Sequence, residues 1–335
     1  MQPQLTPQAA ILHVIAGHWL ARAVYLAARL KLVDAVGEKA TLDDLAKATG
    51  TRSAALRRVM RALTSHGYFR EESDGVFVQT PLSEALKSNS PGSMRAIAEA
   101  ELGHHHYDSW REIESCLRGE GTAFERVYQK PIWQYYAEHP EAQALFGQAM
   151  TDLTAIANAG VLAVYQAKPF KMAVDVGGGH GAFLRAILGQ QPAAKGILFD
   201  LPSVIADAVK QEAIRHNNRI QVIGGDFFKE VPAGGDLYLL KFILHDWDEE
   251  SSLKLLTNIR KAIAVEGRLA LVEIVLPPGN EPHIGPLIDL NMMVMTGGAE
   301  RTEREYAQLL NKSGFHLDRL ITTRSPFSII EAVPV

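Results

Sequence analysis

The sequence predicts an α/β protein: a doubly wound, mostly parallel sheet with a C-terminal antiparallel strand pair, preceded by a mostly α-helical domain of winged-helix type. Three observations predict it. From residue 170 onward, short apolar runs alternate with amphipathic stretches in the order strand, helix, strand, helix. The last two apolar runs, near 315–322 and 327–333, lie too close for a crossover helix, so they pair antiparallel. Nearer the N-terminus, two helical patterns precede YFREESDGVFVQT, a hairpin signal around Asp74-Gly75.

Residues 9–36 carry apolar residues at a helical period on one face (Ile11, Val14, Ile15, Trp19) and a second set, Leu12, Ala16, Leu20 and Val24, on another. A helix apolar on two sides must be covered on both, by its own domain and by a second subunit. TLDDLAKATG follows, with Thr41 as N-cap and Gly50 as stop, and then a helix from Ser53 to His66. Helix, turn, helix and wing invite a DNA-binding reading, since Arg57, Arg58 and Arg61 share the second helix. Residues 1–100 hold 12 basic and 9 acidic residues, too small a surplus for a phosphate-binding surface, so these arginines read as a solvated face. Residues 101–165 form a helical linker or cap broken at Gly119, Gly121, Pro131 and Pro140. His104, His105 and His106 are adjacent, so on a helix they point apart and make a poor chelate; they read as ordinary surface histidines. The expected domains are 1–100, 101–165 and 166–335.

The 335 residues are 47% hydrophobic and 21% charged, with net charge −4, which gives no bias towards nucleic acid or anionic membrane. The single cysteine, Cys116, precludes an intrachain disulfide and suits a reducing, cytoplasmic setting. No signal peptide is expected at MQPQLTPQAA, and no apolar stretch is expected to span a bilayer.

The chemistry concentrates at strand ends. AVDVGGGHGAF places Gly177, Gly179 and Gly181 at a strand-to-helix turn, where the backbone can approach a ligand closely. Asp200 ends the next strand, where it can accept ribose hydroxyls. Asp175, two residues before the first glycine, suits a ligand carrying an ammonium and a sulfonium better than a pyrophosphate. Asp226, after the third strand, can accept from an adenine amino group. Together these favour S-adenosylmethionine (SAM) over a nicotinamide dinucleotide.

VDVGGGHGAF, FDLP, GDFF, LLKFILHDWDEE, LVEIVLPPG and GGAERTEREY, in that order, resemble the small-molecule O-methyltransferases of plants and bacteria. The resemblance spans nearly the whole chain. It implies a Rossmann-like SAM-binding domain, a winged-helix domain that makes a homodimer, and an aromatic acceptor hydroxyl. It also implies SAM contacts at Gly177 to Gly181, at Asp200 with Leu201 beside it in FDLP, and at Asp226, Phe227 and Lys241. His245 matches the family's catalytic base, and Glu273 and Glu300 match the acids that orient it. Independently, LLKFILHDWDEE ends an apolar run in an imidazole, and Glu273 ends the next strand on the same sheet edge. A carboxylate on one ring nitrogen fixes the tautomer and frees the other to take a proton. The sulfonium already activates the methyl, so no metal is expected. Met150 and Met292 fall where the family's acceptor-lining methionines lie, and with Met293, Met295, Phe146 and Trp110 they are expected to furnish a flat apolar cavity. Two alternatives stay open: a SAM-binding decarboxylase or hydroxylase on this scaffold, and a winged-helix DNA-binding regulator.

Overall fold

The computed structural model describes residues 5–335. They form two compact units, one running to Tyr107 and the other Asp108–Val335. In the first, Thr6 caps the helix Pro7–Arg29 by accepting from the Ala9 amide, and Lys31, at φ 50°, breaks the path before a short helix Leu32–Val36. The apolar period runs across that break, so the sequence shows one helix where the structure has two. Strand β1 (Lys39–Thr41), absent from the sequence reading, pairs with β3 (Val76–Gln79), which pairs with β2 (Phe69–Ser73). Helices Leu42–Thr49 and Ser53–Ser65 pack with this small sheet over Leu45, Met60, Leu63, Phe69 and Phe77. Arg57 is held to the hairpin, 2.9 Å from Asp74, so one of the three arginines is committed within the fold.

Two expectations fail here. By length and composition the Pro7–Arg29 helix is apolar enough to cross a membrane, and Ile11, Leu12, Val14, Ile15 and Trp19 on it are exposed within the single chain. And His106 is buried, with Nδ1 3.2 Å from Glu101, rather than lying on the surface with its neighbours.

The second unit is built on an eight-stranded sheet. The strands are β4 (Met172–Val176), β5 (Lys195–Asp200), β6 (Ile220–Gly224), β7 (Leu237–Lys241), β8 (Arg268–Leu276), β9 (Arg301–Thr302), β10 (Phe315–Thr322) and β11 (Phe327–Pro334). Their order is β10-β11-β8-β7-β4-β5-β6, with β9 on β8. The pairs from β8 to β6 are parallel, and β11 closes on β8 and β10 antiparallel, as expected. Alternate residues feed the two faces: Ala173, Leu239 and Val272 pack beneath the helix Ala182–Gln190, while Val174, Leu240 and Leu271 pack against Leu255, Ile259 and Tyr306. After β5 the stretch 203–215, whose apolar period no Gly or Pro interrupts, forms two helices, Pro202–Ala208 and Glu212–Arg215.

The chain winds outward from β4 through β5 to β6, then returns to lay β7 on the other side of β4. That reversal leaves a crevice at the C-terminal ends of β4 and β7, where open α/β sheets take ligands.

Candidate active site

At the end of β4 the backbone turns through Gly177, at φ 70°, and Gly179, at φ 56°, a region that L side chains rarely adopt. A Cβ on Gly177 would lie 2.5 Å from Ile243 Cδ1, so the residue is also packed from the β7 side. A Cβ on Gly179 would meet nothing within 4 Å: the loop faces open space there. Asp200, ending β5, accepts from the Gly179 amide at 2.8 Å and from the Leu201 amide at 2.7 Å. Its carboxyl is pushed up by burial, which those amides oppose.

Asp175 is buried, and its Oδ2 has no hydrogen-bond partner. Burial lifts it to about 7, with Lys241 opposing and Asp200 adding. Lys241, ending β7, is pulled down to about 8 by burial against the attraction of Asp175 and Glu273. A buried carboxylate oxygen without a donor is costly, and a cationic ligand beside it would remove that cost. Asp226 accepts from the Phe228 amide at 2.9 Å, and Phe227 packs edge-on to Trp247. Glycine loop, Asp175, Asp200 and Lys241 thus meet at one sheet edge, and these residues fit an adenosyl ligand bearing an ammonium and a sulfonium.

His245 sits on the 3₁₀ turn Leu244–Asp246, entered through Phe242 at φ 59°, a strained conformation for an aromatic residue. Its Nδ1 is 2.7 Å from Glu300 Oε1, and its Nε2 is 3.8 Å from Asp246 Oδ1. Burial would depress the imidazole, but Asp246, Glu273 and Glu300 outweigh it and lift it to about 10.

Glu273 departs from the expectation that both acids orient the ring. Its Oε1 accepts instead from the amides of Ile243 at 3.0 Å and Leu244 at 2.9 Å, and its Oε2 has no partner. The register explains this: the last β7–β8 bond runs from the Phe242 amide to the Val272 carbonyl, so at Ile243 and Leu244 the departing chain offers amides that no strand accepts. Burial lifts Glu273 to about 7, with His245 opposing. His245, Glu273 and Glu300 bring ligand atoms within 4.8 Å of one another, a spacing that would also admit a cation.

Two neighbours of Glu300 escaped the sequence reading. Buried Arg301 donates to the carbonyls of Leu244 at 2.8 Å and Trp247 at 2.7 Å, the two that bracket His245. A Cβ on Gly298 would lie 1.9 Å from the His245 carbonyl oxygen, so the loop presses its backbone onto the turn.

The acceptor-side residues divide. Phe146 and Met150 are half-buried on the helix Pro140–Val164, where Phe146 stacks on Tyr136 with ring centres 4.8 Å apart. Met292 lies on the helix Gly285–Met295, whose Asn291 accepts from the Trp110 indole at 3.1 Å. Met295 is plain core with Phe124 and Tyr136, and Met293 lines a cleft with Cys116, Trp247 and Gly297. Trp133, facing Trp247 at 6.3 Å, adds an aromatic surface that the sequence reading left out.

Residues 110–316 match the model of the O-methyltransferase domain, and residues 12–89 match that of the O-methyltransferase dimerisation domain. The chain belongs to the O-methyltransferase family. It is 41% identical over 327 residues to phenazine O-methyltransferase PhzM of Lysobacter antibioticus, covering 97% of this chain and 96% of that protein. The crystal structure of LaPhzM superimposes with a TM-score of 0.95 at 40% identity, over 99% of this chain and 100% of that one. The O-methyltransferase NcsB1 from neocarzinostatin biosynthesis, crystallised with SAM and 2-hydroxy-5-methyl naphthoic acid, gives 0.81 at 27% identity over 94% of this chain and 96% of that one. The enzyme is therefore a SAM-dependent O-methyltransferase, and the apolar helix Pro7–Arg29 lies largely within its dimerisation domain.

Proposed function

We propose that the enzyme transfers a methyl group from SAM to a phenolic hydroxyl of an aromatic small molecule, with His245 as general base. The 2.7 Å contact between His245 Nδ1 and Glu300, beside the cofactor crevice, carries the reading. Bound SAM supplies an electrophilic methyl on its sulfonium. Asp175, Gly177, Gly179, Gly181, Asp200, Leu201, Asp226, Phe227 and Lys241 hold it. Met150, Met292, Phe146 and Trp110 lie along the acceptor. A second copy of the chain covers the exposed apolar face of the Pro7–Arg29 helix.

His245 Nε2 takes the phenolic proton as the oxygen attacks, and Glu300 stabilises the imidazolium that forms. Glu273 and Arg301 grip the turn's amides and carbonyls, so the ring does not have to be ordered during the reaction. A phenol has a pKa near ~10, and the imidazole is lifted to about 10, so proton transfer between them is nearly isoenergetic.

The test is methyl transfer from labelled SAM to a panel of hydroxylated aromatics by the wild type and by His245→Gln. The variant should lose about 10²–10⁴-fold in kcat while binding SAM within about twofold of the wild type. A His245→Gln variant that methylates at the wild-type rate would remove the base assignment and leave the carboxylate cluster without a function.

A further inference from the structure

The glycine loop carries an imidazole that neither cofactor contact nor proton transfer uses. His180 lies between the open Gly179 and the packed Gly181, and both of its ring nitrogens are engaged. Nδ1 is 3.0 Å from Thr151 Oγ1 on the helix Pro140–Val164. Nε2 is 3.0 Å from Asp207 Oδ2 on the helix Pro202–Ala208. The approach to the first helix is close: a Cβ on Gly147 would lie 3.1 Å from the imidazole Cε1, so glycine there makes room for the ring.

The Thr151 hydroxyl also lies 2.8 Å from the Gly147 carbonyl, so it bridges the helix backbone and the ring. Burial pushes Asp207 up, but Lys210 and His180 outweigh it and hold its carboxyl below the ordinary range, so it accepts from His180 Nε2 on one oxygen. Lys210 pairs to the other oxygen at 3.1 Å.

We propose that His180 is a positioning residue whose ring, engaged at both nitrogens, clasps the helices Pro140–Val164 and Pro202–Ala208 to the glycine loop, and that cofactor affinity depends on this clasp. The inference rests on reading that loop as the SAM cradle. The Gly179 amide, one residue before His180, donates to Asp200 in the cradle, and a loop already ordered by two helices loses less entropy when the cofactor binds. Thr151 follows Met150 and lies within about a turn and a half of Phe146, so the same clasp ties the acceptor-side helix to the cofactor loop.

The experiment is calorimetric titration of S-adenosylhomocysteine, the demethylated product, into the full-length enzyme and into His180→Ala, Thr151→Val, Asp207→Asn and the two doubles with His180→Ala. A clasp predicts about tenfold weaker binding in His180→Ala and roughly threefold in each partner variant, from the loss of one or two hydrogen bonds to the ring. In the His180→Ala background the partner substitutions should change nothing further. Wild-type-like affinity in His180→Ala, or unchanged partner effects in its background, overturns the clasp. Absence of binding to the wild type overturns the cradle and the clasp with it. If His180→Ala does not fold, Thr151→Val decides alone: threefold weakening supports the clasp, and affinity within about 1.5-fold overturns it.

Discussion

Gly298→Ala tests whether the placement of the His245 turn, rather than the mere presence of its side chains, sets the rate. The added Cβ would stand 1.9 Å from the His245 carbonyl oxygen, 2.4 Å from Asp246 C and 2.6 Å from Trp247 N. All three are backbone atoms, so no side chain can swing aside. Reaching even 3.0 Å from the carbonyl requires the turn or the 297–300 loop to retreat by more than 1 Å. The turn is gripped by Glu273 on two amides and Arg301 on two carbonyls, so the displacement either strains those bonds or moves the imidazole with the backbone. Overpacking of this kind costs about 1–3 kcal/mol, a loss of roughly 2–10 °C in melting temperature for a unit of this size. A misplacement of about 1 Å at reacting groups costs on the order of 10²-fold in rate. The glycine loop lies elsewhere on the sheet edge, so SAM affinity should stay within about twofold. Circular-dichroism melting, SAM titration and steady-state methyl transfer on one preparation separate these effects. A variant with kcat within threefold of wild type would refute the argument, because the turn would then tolerate a displacement that the base assignment forbids.

Two further outcomes follow from the buried titrations. With His245 lifted to about 10, the productive complex holds one proton between phenol and imidazole, while the resting site at neutral pH holds both. The rate on a simple phenol should therefore rise as pH increases from 7 towards 10, measured as kcat at saturating SAM; a flat profile would show that the imidazole is not the acceptor. Asp175, lifted to about 7, attracts a cationic ligand only when ionised, so SAM affinity should weaken as pH falls below about 7. Asp175→Asn should bind SAM more weakly at pH 8 and lose that dependence; equal affinity to wild type at pH 8 would place the ammonium elsewhere.

How much of this was legible in the sequence depends on the range of the interaction responsible. The β4 glycines and Asp200 are local punctuation: a strand ends, the chain turns, and the next strand presents its last residue at the same edge. The closing antiparallel pair is equally local, because a four-residue connection between β10 and β11 has no room for a crossover. The break at Lys31 and the split of the 203–215 stretch left no mark, since neither Gly nor Pro interrupts the period and the chain bends under tertiary packing. Met293 and Met295 were misplaced for a similar reason: neighbours on one helix share a composition but not a direction, so the residues flanking Val294 face a cleft and the core respectively.

Glu273 shows where residue-by-residue reading stops. A glutamate on the strand beside a histidine looks like an orienting acid, and the two lie within 4.8 Å, where the carboxylate lifts the imidazole and the imidazole holds the carboxyl down. Its hydrogen bonds were decided by something no single segment states, that β7 leaves the ladder one residue before Glu273 and exposes two amides to it. Had β7 continued, the Ile243 and Leu244 amides would have turned to the strands on either side, β4 and β8, and the carboxylate would have been free to reach the ring. The division of labour follows from that register: Glu300, arriving from a loop with no ladder to complete, takes the imidazole, and Glu273 takes the backbone that carries it. Arg301 then completes the hold from the carbonyl side, so the segment 298–301 supplies the ring's partner, the turn's clamp and the close-packed backbone beneath it.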